Sequence, residues 1–238
     1  MHASARAVCV VLACVAALLA AAARAEFRPA PLNAAPPTNA IVLFDGRHLD
    51  HWAKQKDRDW EQPDGPARWK LLESGAVEVV PGAGSLITRQ RFGDCRLHVE
   101  FRTLGPVNSG VYLQSRYEIS LKESHSADTN GPPCGAPGNF SGPEGKPRVP
   151  NVARPAGEWQ TLDILFRAPR FDAAGKEKIQ NARITVTLNG VTLYRDMEIT
   201  SVKGAAKRLG EAPLAPLMLQ EHGAPIQFRN IWLVEGAD

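Results

Sequence analysis

Short strand-like runs separated by turn residues recur along most of the sequence, and this pattern constrains the fold more than any other feature. Within the runs, apolar and polar residues alternate, which places successive side chains on opposite faces of a β-sheet. Asn189-Gly190 joins two alternating runs and is the strongest hairpin signal in the chain. No window has a sustained helical period. The strand-like runs are 41–44, 69–72, 76–80, 85–88, 95–102, 110–114, 117–122, 160–167, 183–188, 191–195, 214–220 and 226–235.

The pattern predicts an all-β fold, a jelly-roll β-sandwich of two antiparallel sheets, with residues 41–238 as a single domain. Residues 26–40 are rich in Pro, Ala and Asn and are expected to form a flexible leader. Residues 124–155 are dense in Gly, Pro, Ser and Asn, and a loop of this length is typical of a functional segment. Because it directly follows the strand that contains Glu118, we expect it to form a lid or a wall of a site.

Residues 1–25 have the features of a signal peptide, which predicts a periplasmic or secreted protein. Arg6 precedes an Ala-rich apolar run at 7–23, and Ala-Arg-Ala at 23–25 matches a cleavage site. The alternative is an uncleaved anchor helix, since the run approaches the length of a membrane span. After cleavage no further membrane contact is expected. Export would leave Cys95 and Cys134 in an oxidising compartment, where they either form a disulfide or stay free.

The charge balance gives no reason to expect a nucleic-acid or membrane partner. The formal net charge is +3, and it falls to about +1 without the two arginines of the signal peptide, too little for a field that attracts polyanions. The sequence contains no nucleophile elbow, P-loop or dinucleotide fingerprint, and its six histidines lack metal-ligand spacing. No cofactor is predicted, although a divalent cation such as calcium, held by carboxylates and carbonyls, stays open.

Alternation also predicts which polar side chains face away from the core. If the strands that carry them are neighbours, one sheet face collects acidic groups, amides and a histidine, which suits a polyhydroxylated ligand. The alternatives are an ordinary solvent-facing surface, or a two-carboxylate glycosidase in which Glu118 pairs with Glu100 or Glu221. The predicted face consists of Glu100, Tyr112, Gln114, Glu118, Asp163, Gln220 and His222.

Eight segments in a fixed order resemble a bacterial exported family of 3-keto-disaccharide hydrolases, also described as 3-keto-glucoside lyases and hydratases. The resemblance spans nearly all of the mature chain, and it implies a concanavalin A-like fold and a carbohydrate substrate. The segments are 43–46 (LFDG) with Trp52, 108–113 (NSGVYL), 116–118 (RYE), 157–160 (GEWQ), 166–172 (FRAPRFD), 189–190 (NG), 216–223 (PLMLQEHG) and 228–231 (FRNI).

The resemblance implies a reaction in which a base removes the acidic C2 hydrogen of a 3-keto sugar and the C1 substituent then leaves. Addition of water across the new double bond completes a net hydrolysis. Such a site needs a base, an acid and donors for the enolate oxygen. We assign Glu118 as base or acid, with His222 as its counterpart or as an oxyanion donor. The expected sugar contacts are Asn108, Gln114, Gln220, Arg116 and a stacking ring from Trp159 or Tyr112, although strict alternation turns Arg116 toward the core.

Departures from the family pattern lie beside the expected site. The family usually has Gln where this chain has Ser120 and Asp where it has Glu123, and 138–147 looks like an extended loop. These differences affect the expected substrate more than the expected fold. The rival functions are a carbohydrate-binding module without catalysis, which needs neither Glu118 nor His222, and an exported structural scaffold.

Overall fold

The computed structural model describes residues 27–125, 132–145 and 148–236, and the predicted signal peptide lies outside them. The described chain consists of strands and loops with one short 3₁₀ helix, Gly204–Leu209. In chain order the strands are β1 (Ile41–Phe44), β2 (Trp52–Lys56), β3 (Asp59–Pro66), β4 (Lys70–Leu71), β5 (Val77–Glu78), β6 (Leu86–Thr88), β7 (Cys95–Thr103), β8 (Asn108–Leu113), β9 (Tyr117–Lys122), β10 (Phe140–Ser141), β11 (Gln160–Arg167), β12 (Arg170–Phe171), β13 (Lys178–Gln180), β14 (Arg183–Leu188), β15 (Val191–Glu198), β16 (Ser201–Val202), β17 (Met218–Leu219) and β18 (Ile226–Glu235).

Two antiparallel sheets pack face to face, which confirms the predicted all-β sandwich. The large sheet has the order β15-β14-β11-β7-β18-β5-β4, with β1 on β18, and the small sheet has the order β3-β2-β6-β17-β8-β9. The pairing of β14 with β15 is the hairpin that Asn189-Gly190 predicts, and both turn residues have positive φ (51° and 81°). The sequence did not reveal the β2–β3 hairpin, whose polar strands lack clean alternation.

The core lies between the sheets and is built from the apolar face of each alternating strand. Leu97, Val99 and Phe101 of β7 are fully buried in one hydrophobic cluster with Val111 of β8 and Ile119 of β9. Burial of such side chains contributes about 1.5–3 kcal/mol each to folding. The alternation that fills the core therefore also fixes which residues of β8 and β9 face outward.

The predicted single polar face is wrong for Glu100 and Asp163, which lie in the other sheet. β7 and β11, which carry them, pair with each other in the large sheet, whereas Glu118 lies in the small sheet. Glu100 and Asp163 face away from the core on the opposite side of the sandwich, and both are fully buried. A glycosidase pair of Glu118 with Glu100 is therefore excluded, because a whole core separates them.

The segment expected to be a flexible leader covers these two carboxylates. Residues 27–40 form turns without a strand. The backbone N–H of Ala30 donates to Asp163 (3.2 Å) and that of Asn33 donates to Glu100 (2.5 Å). Asn230 of β18 donates to the carbonyl of Ala34 (3.0 Å). The segment is ordered because it satisfies polar groups that the large sheet leaves on its outer face.

His98 lies between the two carboxylates and makes this cluster sensitive to pH. Its Nδ1 is 3.0 Å from Asp163, and its Nε2 is 3.7 Å from Glu100, which also accepts a hydrogen bond from Arg229 (2.7 Å). Burial by itself would lower the pKa of His98, but the hydrogen bond to Asp163 and the nearby negative charge of Glu100 outweigh it and raise the pKa. The imidazolium is the form that the folded state favours.

We expect the free energy of unfolding to fall as the pH rises above about 6.5, the ordinary pKa of histidine. A raised folded-state pKa contributes stability that is complete below the unfolded pKa and is lost as pH rises through the folded one. Urea unfolding between pH 6 and 9 measures this slope. His98→Gln should remove the slope, and an equal slope in that variant would contradict the assignment. His98→Ala should cost about 3–5 kcal/mol, since it leaves the buried carboxylate of Asp163 without a cation.

Cys95 and Cys134 are both free and buried. Of the two alternatives, a disulfide or two free thiols, the structure therefore has the two thiols. Burial raises the pKa of the Cys134 thiol to about 11 and the pKa of the Cys95 thiol further still. Both thiols therefore behave as small apolar side chains of the core. None of the helices in the described part of the chain has the length and apolar character needed to cross a membrane.

Candidate active site

The outer face of the small sheet carries the residues that the sequence analysis placed around Glu118. β8 and β9 pair so that Tyr112 faces Glu118 and Gly110 faces Ser120. β17 pairs with β8 on its other side, with Met218 opposite Tyr112, and the backbone N–H of Gln220 donates to Gly110 (2.9 Å). All of these positions share one face, as period-2 alternation predicts.

The Glu118 side chain lies in a narrow slot between two glycines. A Cβ atom on Gly110 would be 2.9 Å from Cγ of Glu118, and one on Gly138 would overlap its carboxyl group. The Ser120 hydroxyl donates to Oε1 of Glu118 at 3.3 Å. Because neither glycine has a side chain, the Glu118 side chain fits between the two backbones. Close contact with both backbones then limits its movement.

The expected wall is present in the described part of the long loop. The backbone of Gly138 donates to the carbonyl of Glu118 (2.8 Å), and the N–H of Ser120 donates to Ala136 (2.9 Å). Asn139 accepts from the N–H of Glu118 (3.0 Å) through its side chain. This segment therefore extends the small sheet beyond β9 and closes one side of the slot.

Tyr112 lies beside the carboxylate and is almost completely buried. Burial raises the pKa of its phenol, and the adjacent charge of Glu118 and a hydrogen bond to it raise the pKa further. The phenol therefore stays protonated and can act as a donor near Glu118. Tyr112 packs in a small apolar cluster with Ile87 and Met218, which Trp60 covers.

A cavity of about 280 Å³ opens beside this cluster, over β17, β6 and β2. Trp60 forms one wall, with its ring edge-on to Tyr112 (centroids 5.9 Å apart, interplanar angle 85°). The side-chain Oε1 of Gln220 is buried and has no hydrogen-bond partner among the described residues. An unpaired buried acceptor beside a cavity is suited to a ligand hydroxyl. The cavity is lined by Lys54, Gln55, Asp57, Trp60, Gly84, Ser85, Met218, Gln220 and Glu221.

Asn108 and His222 are brought together at the far end of the same face. Asn108 Nδ2 and His222 Nδ1 are 3.0 Å apart, and both residues are exposed. The Glu118 carboxyl group lies against Gly110, which is two residues, or about 7 Å, along the strand from Asn108. The structure shows no direct contact between His222 and Glu118, so any joint action requires a substrate that spans this distance.

Gln114 and Arg116 do not lie on the site face. They belong to the tight turn between β8 and β9, where Gln114 and Ser115 have φ of 52° and 54°. The side chain of Gln114 donates to the carbonyls of Phe92 (3.2 Å) and Pro213 (3.0 Å). The predicted place of Gln114 on the polar face is wrong, because the left-handed turn ends the alternation at Leu113.

Arg116 is buried, and its guanidinium makes hydrogen bonds within the protein. It donates to the carbonyl of Gln114 (2.7 Å), to the carbonyl of Gly210 and to the carboxylate of Glu61. These bonds join the β8–β9 turn to β3 and to the end of the 3₁₀ helix. Arg116 therefore connects neighbouring parts of the fold, which agrees with the prediction that its side chain is directed toward the core.

Trp159 lies on the outer face of the large sheet, not near Glu118. It directly precedes β11, and its ring contacts the guanidinium groups of Arg102 (4.8 Å) and Arg229 (4.1 Å). Tyr112 does lie at the site, and it is joined there by a second aromatic residue, Trp60, which was not predicted from the sequence. The sequence feature that could have revealed Trp60 was the polar turn at residues 57–59, which lies between two weak strand-like runs.

A metal centre has no support from clustered ligands. Within residues 27–125, 132–145 and 148–236, no group of three or more His, Cys, Asp or Glu side chains is arranged to hold an ion. What the site does offer is a fixed carboxylate, a protonated phenol, a free amide oxygen and a cavity beside them. These groups can bind a polyhydroxylated ligand and move a proton.

Comparisons with known proteins agree with a carbohydrate-directed site. Residues 39–234 match the model of the 3-keto-alpha-glucoside-1,2-lyase-like domain. A 3-keto-disaccharide hydrolase from Bacteroides thetaiotaomicron is 22% identical over 227 residues, which cover 80% of this chain and 76% of that protein.

Solved structures from Parabacteroides distasonis ATCC 8503 have the same fold. One candidate glycosyl hydrolase has a TM-score of 0.66 and 27% identity, with 89% of this chain and 95% of that chain covered. A second has a TM-score of 0.56 and 22% identity, with 83% and 99% covered. Since the family model matches most of the sequence, the protein belongs to the 3-keto-alpha-glucoside-1,2-lyase-like family of carbohydrate hydrolases.

Proposed function

We propose that the protein is an exported enzyme that cleaves 3-keto-glycosides, by elimination across C1 and C2 followed by addition of water. The observation that carries the proposal is the Glu118 carboxylate, fixed between Gly110 and Gly138 and next to the protonated phenol of Tyr112. A purely structural glutamate would not need a slot that two glycines keep clear.

The carboxylate and the phenol supply complementary steps. Glu118 takes the C2 proton, and the electron pair of that C–H bond moves into the enolate of the C3 ketone. Tyr112 donates a hydrogen bond or a proton on the same face. The C1–O bond then breaks, and its electron pair leaves with the departing oxygen, which takes up a proton. General acid–base catalysis of this kind contributes about 10²–10⁴-fold.

The addition of water reverses the proton movements. Water attacks C1 of the unsaturated 3-keto intermediate, its hydroxyl remains on C1, and a proton returns to C2. Glu118, protonated in the first half, is positioned to return that proton. The net result is hydrolysis, with a 3-keto sugar and the free leaving group as products.

His222 and Asn108 fit a binding role better than the first proton transfer. They are paired with each other and lie about 7 Å along the strand from the Glu118 carboxyl group, which rests against Gly110. We place them at the rim, where they orient the outer hydroxyls of a bound sugar. Gln220, which lies beside Gly110 on the neighbouring chain segment and has a free Oε1, accepts from a hydroxyl nearer the reacting ring.

Incubation of the purified protein with 3-keto-trehalose or a 3-keto-glucoside, followed by mass spectrometry, tests the proposal. We expect release of the leaving group and a 3-keto hexose. A parallel assay with EDTA distinguishes catalysis by side chains alone from catalysis that needs a divalent cation. Binding of unmodified glycans with no product from any 3-keto sugar would instead indicate a carbohydrate-binding module.

A further inference from the structure

We propose that Lys122 is a further catalytic residue, whose ammonium group donates a hydrogen bond to the C3 oxygen while that oxygen carries the charge of the enolate. This inference rests on the proposed function, because it assigns a role in the same elimination. It adds a cation to the site, where Glu118 supplies the base and Tyr112 a neutral donor. The argument depends on the register of Lys122, its reach and its unpaired charge.

Lys122 is the last residue of β9 and lies on the same face of the small sheet as Glu118. The two positions differ by four, and residues of a strand that differ by an even number point to the same face. In the ladder Lys122 is opposite Asn108, whose side chain contacts His222. Lys122 is partly buried, so it belongs to the rim of the site and is not a fully solvated surface residue.

The carboxyl group of Glu118 lies between its own backbone position and that of Lys122. Its Cγ would be 2.9 Å from a Cβ atom on Gly110, and its Oε1 accepts from the Ser120 hydroxyl (3.3 Å). Ser120 is two residues, or about 7 Å, along the strand from Lys122. The flexible four-carbon stem of a lysine spans most of that distance. Because serine is short, no long side chain on this face of β9 separates the two charges.

The ammonium group of Lys122 has no hydrogen-bond or ion-pair partner within the part of the chain that the structure describes. By contrast, Arg116 at the β8–β9 turn and Lys54 of β2 form ion pairs with Glu61 and Asp64. An unpaired cation that is fixed at the rim of a site is available to a charge that develops in the ligand.

The position of Lys122 matches the order of the carbons in the reacting ring. C2, from which Glu118 takes the proton, lies between C1, which loses the leaving group, and C3, which carries the ketone. The backbone positions of Tyr112 and Lys122 flank the Gly110–Ser120 pair on opposite sides along the strands. This arrangement puts the phenol on the C1 side and the ammonium group on the C3 side of the reacting carbon.

The step needs no oxidant, reductant or further reactant. The electron pair of the C2–H bond forms the C2=C3 double bond, and the π pair of the ketone moves onto the C3 oxygen. Lys122 donates to that oxygen and keeps its proton. The ketone then re-forms, the C2=C3 pair moves to C1=C2, and the leaving oxygen takes the C1–O pair. A hydrogen bond that is stronger to the charged oxygen than to the ketone lowers the barrier.

Substitution of Lys122 tests its charge. Lys122→Met keeps most of the stem, and we expect kcat on a 3-keto-glucoside to fall about 10²–10³-fold with little change in KM, as for loss of an oxyanion donor. Lys122→Arg keeps a cationic donor and should stay within about tenfold of the wild-type kcat. Lys70→Met, at an exposed position of the large sheet, is the matched control and should have wild-type kinetics. Thermal unfolding of each variant checks the fold, and Lys122→Gln provides a second neutral side chain.

Hydrogen exchange at C2 distinguishes the C3 oxygen from the leaving oxygen. The probe is the 3-keto derivative of 1,5-anhydroglucitol, which has no leaving group on C1, in D₂O with NMR detection of deuterium at C2. We expect the wild-type protein to catalyse this exchange and Lys122→Met to slow it by about the same factor as kcat. A wild-type exchange rate in Lys122→Met would overturn the inference, because Lys122 would then act on the leaving oxygen or on binding.

Other results would also overturn the inference. Equal kcat in Lys122→Met and the wild-type protein would show that the enolate forms without the ammonium group. Losses of equal size in Lys122→Met and Lys122→Arg would show that the charge is not what matters. Borohydride reduction that links the sugar to Lys122 would show an imine in place of a hydrogen bond. Absence of any product from the wild-type protein would refute the proposed function, and this role with it, whereas the other results refute the role alone.

Discussion

Glu118→Gln is expected to reduce kcat on a 3-keto-glycoside about 10³-fold while the protein stays folded. The amide has the same shape and still accepts a hydrogen bond from Ser120, but it cannot take the C2 proton. Loss of a positioned general base typically reduces a rate by about 10²–10⁴-fold. The measurement is steady-state release of the leaving group, with thermal unfolding of the same sample to show an unchanged fold.

Two further variants identify the cause of the loss. Glu158→Gln makes the same substitution at an exposed position outside the small sheet and should have wild-type kinetics. His222→Ala should raise KM by about fivefold with a smaller effect on kcat, since it removes a rim contact worth about 1 kcal/mol. Wild-type turnover in Glu118→Gln would remove the carboxylate from the mechanism, whichever substrate is used.

Gly138→Ala is expected to reduce kcat about 10²-fold through the position of the carboxylate alone. A methyl group there would overlap the carboxyl carbon and both oxygens of Glu118, so either the carboxylate or the wall must move. Displacements of about 1 Å in a catalytic group can cost this much. The backbone of Gly138 is not in the left-handed region, so alanine adds steric overlap without backbone strain.

Gly142→Ala is the control for crowding in the same segment. Its methyl group would lie 2.9 Å from the carbonyl oxygen of Glu198, away from Glu118, so stability should fall while kcat is kept. The comparison uses urea unfolding and turnover on one 3-keto-glycoside for both variants. Equal kcat in Gly138→Ala and the wild-type protein would show that the slot does not determine the position of the base.

Alternation alone placed Tyr112, Glu118 and Gln220 on one face, and the structure agrees. It succeeded because β8, β9 and β17 are neighbours with regular pairing, so the local period of two carries across the strands. The rule failed at Gln114, where residues with positive φ turn the chain. It also failed for Glu100 and Asp163. Their side chains face away from the core, as predicted, but they belong to the large sheet and not to the sheet that contains Glu118.

The sequence did not predict that residues 27–40 are ordered, for a related reason. Its composition resembles that of a disordered leader, and its few hydrogen bonds depend on carboxylates far along the chain, at Glu100 and Asp163. In the sequence, those two residues have the pattern of ordinary solvent-facing acidic side chains. Only when β7 and β11 pair do they form a buried cluster around His98 that requires a cover.

The sequence by itself determined the all-β class, most strands, the Asn189-Gly190 hairpin and the outward direction of Glu118. These depend on periodicity and turn chemistry, which are local properties of the chain. Only the tertiary structure decided which strands share a sheet, that Trp60 and not Trp159 lies beside the site, and that Gly110 and Gly138 enclose the carboxylate. Those features depend on contacts between residues distant in sequence, and no local pattern specifies such contacts because each strand can pair with several others.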